Sequence, residues 1–279
     1  MTENTYQEVQ SSYGNIAKRT GTTMSGDTED KIAAAFGYNA KDLCSLPKNA
    51  NLGLSCGNPV ALANIKMGET VVDLGSGGGI DVFLAARKVG PEGRAIGVDM
   101  TKEMIHLANT NAEKAGLSNA SFIEASITSM PLPDASVDCI VSNCVLNLIP
   151  SPDKPRAFRE IARLLKPGGR IAISDILAKQ ELPEHIATDI SLYVGCIAGA
   201  SQVREYQEYL EAAGLRDILM IDTNADLNLY KQSSYLGQGG CCGSGGCASS
   251  VELDGSADID YNAWAGSFQI YAVKGDNMN

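Results

Sequence analysis

Residues 71–79 read Val71-Val72-Asp73-Leu74-Gly75-Ser76-Gly77-Gly78-Gly79, a β-branched run that breaks into a glycine-dense turn. A short apolar run of this kind predicts a buried strand over 69–75. The stretch IDVFLAARKV that follows from Ile80 reads as a helix, so the glycines sit at a strand-to-helix turn. Glycine there lets backbone approach a bound molecule closely, because no Cβ intervenes and positive φ costs little. Details narrow the ligand. The dinucleotide fingerprint G-x-G-x-x-G needs glycine at position 80, where this chain has Ile80. Asp73, just ahead of the turn, suits a ligand presenting an ammonium rather than a pyrophosphate. Beyond the helix, Asp99 closes the next apolar run, where a carboxylate can accept both hydroxyls of a ribose.

Outward from this turn the pattern alternates between short β-branched runs and helical periodicity as far as about residue 177. Strands are expected over 94–100, 121–126, 136–143 and 170–177. A helix is expected from about Lys102 to Lys114. Another enters after Pro155, carries Phe158, Ile161, Ala162 and Leu165 on one stripe, and stops at Gly168–Gly169. This alternation implies an α/β fold, a mostly parallel sheet with helices on both faces. Further on, Ile186, Ile190, Tyr193 and Ile197 form one helical stripe, and Val203, Tyr206, Leu210 and Ala213 another. Strands are expected at 215–222 and 267–274. Residues 237–250, GQGGCCGSGGCASS, are too glycine-rich for a helix or a central strand. The chain is thus expected to divide into an N-terminal segment (1–55), a nucleotide-type core (56–180) and a C-terminal α+β portion (181–279) that contains this Gly/Cys loop.

The 279 residues, 44% of them hydrophobic, suffice for a sizeable core, and the formal net charge of −11 disfavours a nucleic-acid partner. The polar opening MTENTYQEVQ is no signal peptide, and no apolar run spans a bilayer, so a cytoplasmic protein without membrane contact is expected. The cysteines are eight: Cys44, Cys56, Cys139, Cys144, Cys196, Cys241, Cys242 and Cys247. In a reducing compartment they stay free for metals or catalysis, although any one alone reads first as a small buried hydrophobe. His106 and His185 lie in helical segments without a nucleophile partner and read as solvated or capping residues. No C-x-x-C pair occurs, which argues against a zinc site.

The ordered motifs DLGSGGG, GVDM, PLPDASVDCIVS and LLKPGG, within residues 69–177, resemble those of class I S-adenosylmethionine methyltransferases. The resemblance implies a Rossmann-like class I methyltransferase sheet with S-adenosylmethionine as cofactor. It implies Asp73 and the Gly75, Ser76, Gly77 and Gly79 backbone near the methionine moiety, Asp99 on the ribose, Met100 packed on adenine, and Ser126 and Ile127 lining the adenine pocket.

The acceptor is read from the thiols. In an open α/β sheet ligands bind outside the carboxyl ends of the strands, and the run VDCIVS delivers Asn143 and Cys144 to that edge, whereas Cys139 lies inside the strand. Cys56 occurs in LSCGNP, a Gly/Pro turn, and Cys196 in YVGCIAGA. Three thiols from distant segments meeting over one site would suit a trivalent thiophilic ion. The Cys-Gly turn, SNCVLNLIP, GCIAGA and the early YGNIAKR resemble the arsenite methyltransferase family over about residues 10–235. That resemblance implies methyl transfer to As(III) bound by Cys56, Cys144 and Cys196, the arsenic arriving as arsenite or a thiol adduct and a glutathione- or thioredoxin-type thiol serving as reductant. Many members carry a further cysteine soon after the KR pair; here the region reads KRTGTTMSGD, so Cys44 or an external thiol would take its place. Cys241, Cys242 and Cys247 are open to two readings, a polar insertion or an accessory capture site. Two alternatives stand beside this one: a methyltransferase of a small organic acceptor, and a non-catalytic arsenite-binding protein.

Overall fold

The computed structural model describes residues 2–19, 26–232 and 259–276; Cys241, Cys242 and Cys247, with the whole loop 237–250, lie outside them. The chain opens with helices α1 (Thr2–Arg19), α2 (Gly26–Ala35), α3 (Ala40–Cys44) and α4 (Pro59–Leu62). The alternating core follows as β1 (Thr70–Leu74), α5 (Ile80–Val89), β2 (Arg94–Asp99), α6 (Lys102–Ala115), β3 (Ala120–Glu124), β4 (Val137–Asn143), α7 (Lys154–Leu164) and β5 (Leu165–Ala178). The last part comprises α8 (Glu184–Ala187), α9 (Ile190–Val194), α10 (Val203–Ala212), β6 (Leu215–Asp222) and β7 (Ala265–Lys274). Among the described residues no helix is long and apolar enough to cross a membrane.

The seven strands form one sheet in the order β3-β2-β1-β4-β5-β7-β6. β1 to β5 run parallel, as the alternation predicts, and β7 is antiparallel to both of its neighbours. Successive side chains of a strand point to opposite faces, and β1 divides its residues accordingly. Val72 and Leu74 join a cluster with Phe158, Ile161, Tyr206 and Leu210 from α7 and α10. Val71 joins Val82, Ala86 and Val89 of α5 on the other face. Cys139 is fully buried in that second cluster, as expected. Phe158 lies edge-on to Tyr206 with ring centroids 5.1 Å apart and stacks on Tyr209 at 5.5 Å, which locks α7 to α10.

Two helical expectations are corrected. α7 stops at Leu164 rather than at Gly168–Gly169, and Leu165, which the stripe placed on the helix, begins β5. Pro167 has no N–H to donate and pushes Lys166 out of the α region, so the backbone turns extended before the glycines are reached. The stripe from Ile186 to Ile197 is two short helices, α8 and α9, with Ile197 beyond the second. The break falls at Asp189, whose Oδ1 accepts the Leu192 N–H (3.0 Å) and so restarts the helix.

At the amino ends of the strands, Arg170 donates to both Glu69 carboxylate oxygens (2.9 and 2.7 Å) and to the Ala63 and Asn64 carbonyls. Burial by itself would raise the Glu69 carboxyl, but the Arg170 bonds and the Lys66 N–H outweigh it and hold the group below its ordinary value. Glu69→Ala should cost about 2–3 kcal/mol of stability, because it leaves a largely buried guanidinium without its partner. A depressed carboxylate stabilises the fold above the ordinary range and loses that contribution as pH falls through the depressed value. Urea unfolding should therefore show the gap between wild type and Glu69→Ala narrowing below about pH 4.3.

Candidate functional site: a cavity at the carboxyl edge of the sheet

β1, β2 and β4 end on one side of the sheet, and a cavity opens there. Asp73, Gly75, Ser76 and Gly77 line it from the first turn, Asp99 and Met100 from the end of β2. Ser126 and Ile127 line it after β3, and Asn143 and Cys144 where β4 ends. Gly79, grouped with these from the sequence, is not a lining residue; it caps the amino end of α5. α1 supplies a further wall through Tyr6, Val9 and Tyr13, and its Gln10 donates to the Met100 carbonyl (2.9 Å). That role was not anticipated. The signal was available in the one-face spacing of Tyr6, Val9 and Tyr13.

The turn is shaped by what crosses it. Gly75 has φ +66, and a Cβ there would run into the Val145 side chain. The Gly75 N–H instead donates to the Val98 carbonyl (2.7 Å), which ties the loop to β2. Asp99 accepts from the Gly77 N–H (3.1 Å) and the Thr101 N–H (2.8 Å), so its carboxylate is fixed at the cavity wall. Burial pushes its pKa up. The Asp73 carboxyl is raised further, by burial and then by the charges of Asp81 and Asp99, and no hydrogen bond reaches it among the described residues. The Ser76 hydroxyl is buried without a partner there as well. This corner lacks a cation and a hydrogen-bonding group, which a ligand with an ammonium and a carboxylate would supply.

Asn143 links this corner to the thiols. Its amide donates to the Tyr38 hydroxyl (2.8 Å), the Gly57 carbonyl (2.8 Å) and Asp81 (3.3 Å), and its Oδ1 accepts the Cys56 N–H (3.0 Å). Tyr38 also donates to Asp81 at 2.7 Å. Asp81 is driven up by burial and restrained by Tyr38 and Asn143, to about 6.

Cys56, Cys144 and Cys196 belong to one buried cluster. The Ser174 carbonyl gathers the first two, accepting the Cys144 N–H at 2.8 Å and the Cys56 thiol at 3.5 Å. The approach depends on Gly57, where a Cβ would stand 2.5 Å from Ser174. The Cys196 thiol donates to the Cys144 carbonyl at 2.6 Å. Cys144 and Cys196 both hold left-handed backbone, φ +59 and +65. Such backbone is costly in a residue other than glycine. All three thiols are pushed up: Cys56 by burial to about 11, Cys144 by burial, and Cys196 by its contact with Cys144 and then burial. Cys44 is exposed and outside the cluster. His106 and His185 are both exposed.

Asp175 was not anticipated. It is fully buried in β5, and one of its carboxylate oxygens and the Cys56 and Cys144 sulfurs all lie within 4.8 Å of one another. It accepts from Asn147 (2.9 Å) and from the Ile176 N–H (3.1 Å), and burial raises it to about 7 against the pull of Lys154. A lone carboxylate in the largely apolar run IAISDIL was the signal for it.

A glycine turn after β1, a fixed acid at the end of β2 and an antiparallel seventh strand together define the class I methyltransferase fold. Residues 65–214 match the family described as a methyltransferase domain, and the chain belongs to that family. It is 45% identical over 198 residues to the arsenite methyltransferase of Halobacterium salinarum, an alignment covering 71% of this chain and 50% of that protein. To the arsenite methyltransferase of Homo sapiens it is 35% identical over 163 residues, 55% of this chain and 43% of the other. The chain spans about half the length of these curated relatives. Among solved structures it is similar to an arsenic(III) S-adenosylmethionine methyltransferase from Chlamydomonas reinhardtii, with a TM-score of 0.55 and 27% identity over 88% of this chain and 73% of that one.

Proposed function

We propose that this protein transfers methyl groups from S-adenosylmethionine to trivalent arsenic held by Cys56, Cys144 and Cys196, a cytoplasmic detoxification reaction. The observation that carries the reading is the buried three-cysteine cluster adjoining the acid-lined cavity, with Cys144 common to both.

The cavity suits the cofactor. Asp73 would take its ammonium and the Gly75–Gly78 turn its methionine portion, Asp99 its ribose hydroxyls, and Met100, Ser126 and Ile127 its adenine. Asn143 stands between this pocket and the thiols. The bound cofactor would supply an activated methyl on a sulfonium. The protein's own part is alignment and exclusion of water, since an arsenic lone pair needs no general base to attack carbon. Alignment of this kind can contribute up to about 7–11 kcal/mol.

Raised thiol pKa values favour the neutral acceptor. Arsenous acid and three protonated thiols form three As–S bonds and release three waters, so no charge enters the buried cluster; a thiol adduct exchanges in the same way and releases its thiols. On methylation the arsenic lone pair would become the new As–C bond as the methyl's bond to the sulfonium sulfur breaks and S-adenosylhomocysteine leaves. A thiol would then attack one arsenic-bound sulfur, a disulfide would form, and the electron pair of the broken As–S bond would stay on arsenic and return it to the trivalent state.

The test is incubation of the purified chain with arsenite, S-adenosylmethionine and a thiol, followed by arsenic speciation. Methylated arsenicals are the expected products. Unchanged arsenite across monothiol and dithiol reductants would overturn the reading.

A further inference from the structure

We infer that Cys56, Cys144 and Asp175 form a second-use site for a thiophilic divalent cation of the zinc or cadmium kind. The inference stands on donor geometry and does not depend on the arsenic reading. The two sulfurs and one carboxylate oxygen, all buried, lie within 4.8 Å of one another. A tetrahedral ion with bonds of about 2.3 Å to sulfur and about 2.0–2.2 Å to oxygen sets its donors roughly 3.5–3.8 Å apart. Modest side-chain rotation closes that difference.

The donor types discriminate between ions. Two sulfurs rule against magnesium and calcium, which take oxygen ligands, while mixed sulfur and carboxylate donors suit zinc and cadmium. Trivalent arsenic has no use for the carboxylate and draws on Cys196 instead. The two occupants would share Cys56 and Cys144 and differ in the third donor. The absence of a C-x-x-C pair hides this site from the sequence, because its donors come from the turn before α4, the end of β4 and the middle of β5.

Charge balance supports the assignment. Lys154 is nearly fully buried, donates to the Gly199 carbonyl (2.6 Å) and the Ser201 hydroxyl (2.8 Å), and interacts electrostatically with Asp175. Counted as carboxylate and ammonium, Asp175 and Lys154 cancel, and the two thiols add no charge before binding. On binding, two metal–sulfur bonds and one metal–oxygen bond form and two thiol protons leave to solvent. The dication, two thiolates, carboxylate and ammonium then again sum to zero. No uncompensated charge is created in the buried cluster, which is the condition that disqualifies most interior ion sites.

The test is a titration with cadmium alone, followed by thiolate-to-cadmium charge-transfer absorption in the ultraviolet. It uses the full reduced chain carrying Cys44→Ser, Cys241→Ser, Cys242→Ser and Cys247→Ser, which leaves the three clustered thiols and Cys139, fully buried in its strand away from them. One cadmium per chain is expected. Asp175→Asn should weaken it at least 10-fold, Cys56→Ser should remove about half of the absorbance, and Cys196→Ser should leave affinity within 3-fold. Absence of a saturable signal overturns the site, as does unchanged affinity in Asp175→Asn. Should Asp175→Asn fail to fold by circular dichroism, Cys56→Ala serves in its place, and an undiminished absorbance in it overturns the site. Arsenic speciation on the unsubstituted chain separates the two readings. Methylated arsenic without a cadmium signal defeats only this inference, and a cadmium signal with unaltered arsenite defeats only the proposed function.

Discussion

Cys144→Ser should reduce arsenic methylation at least about 1,000-fold, equivalent to about 4 kcal/mol of lost transition-state stabilisation. Serine keeps the volume and the polar character of the side chain, and the Cys144 N–H bond to the Ser174 carbonyl belongs to the backbone. What is lost is the soft donor. On the proposed function, an oxygen in its place would leave the acceptor with two sulfurs and a hydrolysable third bond, and its lone pair would no longer be held toward the cavity. Affinity for S-adenosylmethionine, measured by calorimetry, should stay within 3-fold, because the turn at Gly75 and the Asp99 carboxylate are untouched. Turnover in Cys144→Ser equal to wild type would instead favour a small organic acceptor, for which the thiols are only packing.

Asp99→Ala should weaken S-adenosylmethionine binding about 100- to 10,000-fold. The carboxylate already accepts one bond on each oxygen, from the Gly77 and Thr101 N–H groups, and these bonds hold its remaining lone pairs toward the cavity. Each hydroxyl bonded to a charged acceptor contributes about 1.5–3 kcal/mol, and two such bonds account for the stated loss. Asp99→Asn, which keeps one acceptor oxygen, should fall between the two. Arsenite binding by the cysteine cluster should survive both substitutions. An affinity within 3-fold of wild type in Asp99→Ala would remove Asp99 from the ribose.

The parts of this molecule that could be read in advance are those where local chemistry decides geometry. The run Val71–Leu74 followed by glycines has one good solution, a buried strand ending in a turn, and Asp99 follows from the next strand's length. Cys144 was legible because a strand ending at the carboxyl edge carries its next residue into the ligand region. Cys56 and Cys196 were not legible from periodicity. Both lie outside helix and strand, and only their likeness to known motifs singled them out; their meeting depends on the Ser174 carbonyl and the Cys144 carbonyl. Asp175 was passed over because a strand between two others reads as uniformly buried, and a carboxylate in it reveals its use only when its neighbours are known. The early end of α7 reflects a proline whose effect reaches one residue back, against a hydrophobic stripe that runs on through Leu165.

The elevated pKa values of the three clustered cysteines bear on chemical durability. Peroxides and disulfides react with the ionised sulfur, and the un-ionised form is nearly inert. Three adjacent sulfurs would ordinarily invite cross-linking, yet here the surroundings that suppress ionisation also suppress sulfenic acid formation. Among the described cysteines, oxidative damage is accordingly directed first to Cys44, which stands exposed at the end of its helix, while the buried sulfurs stay reduced.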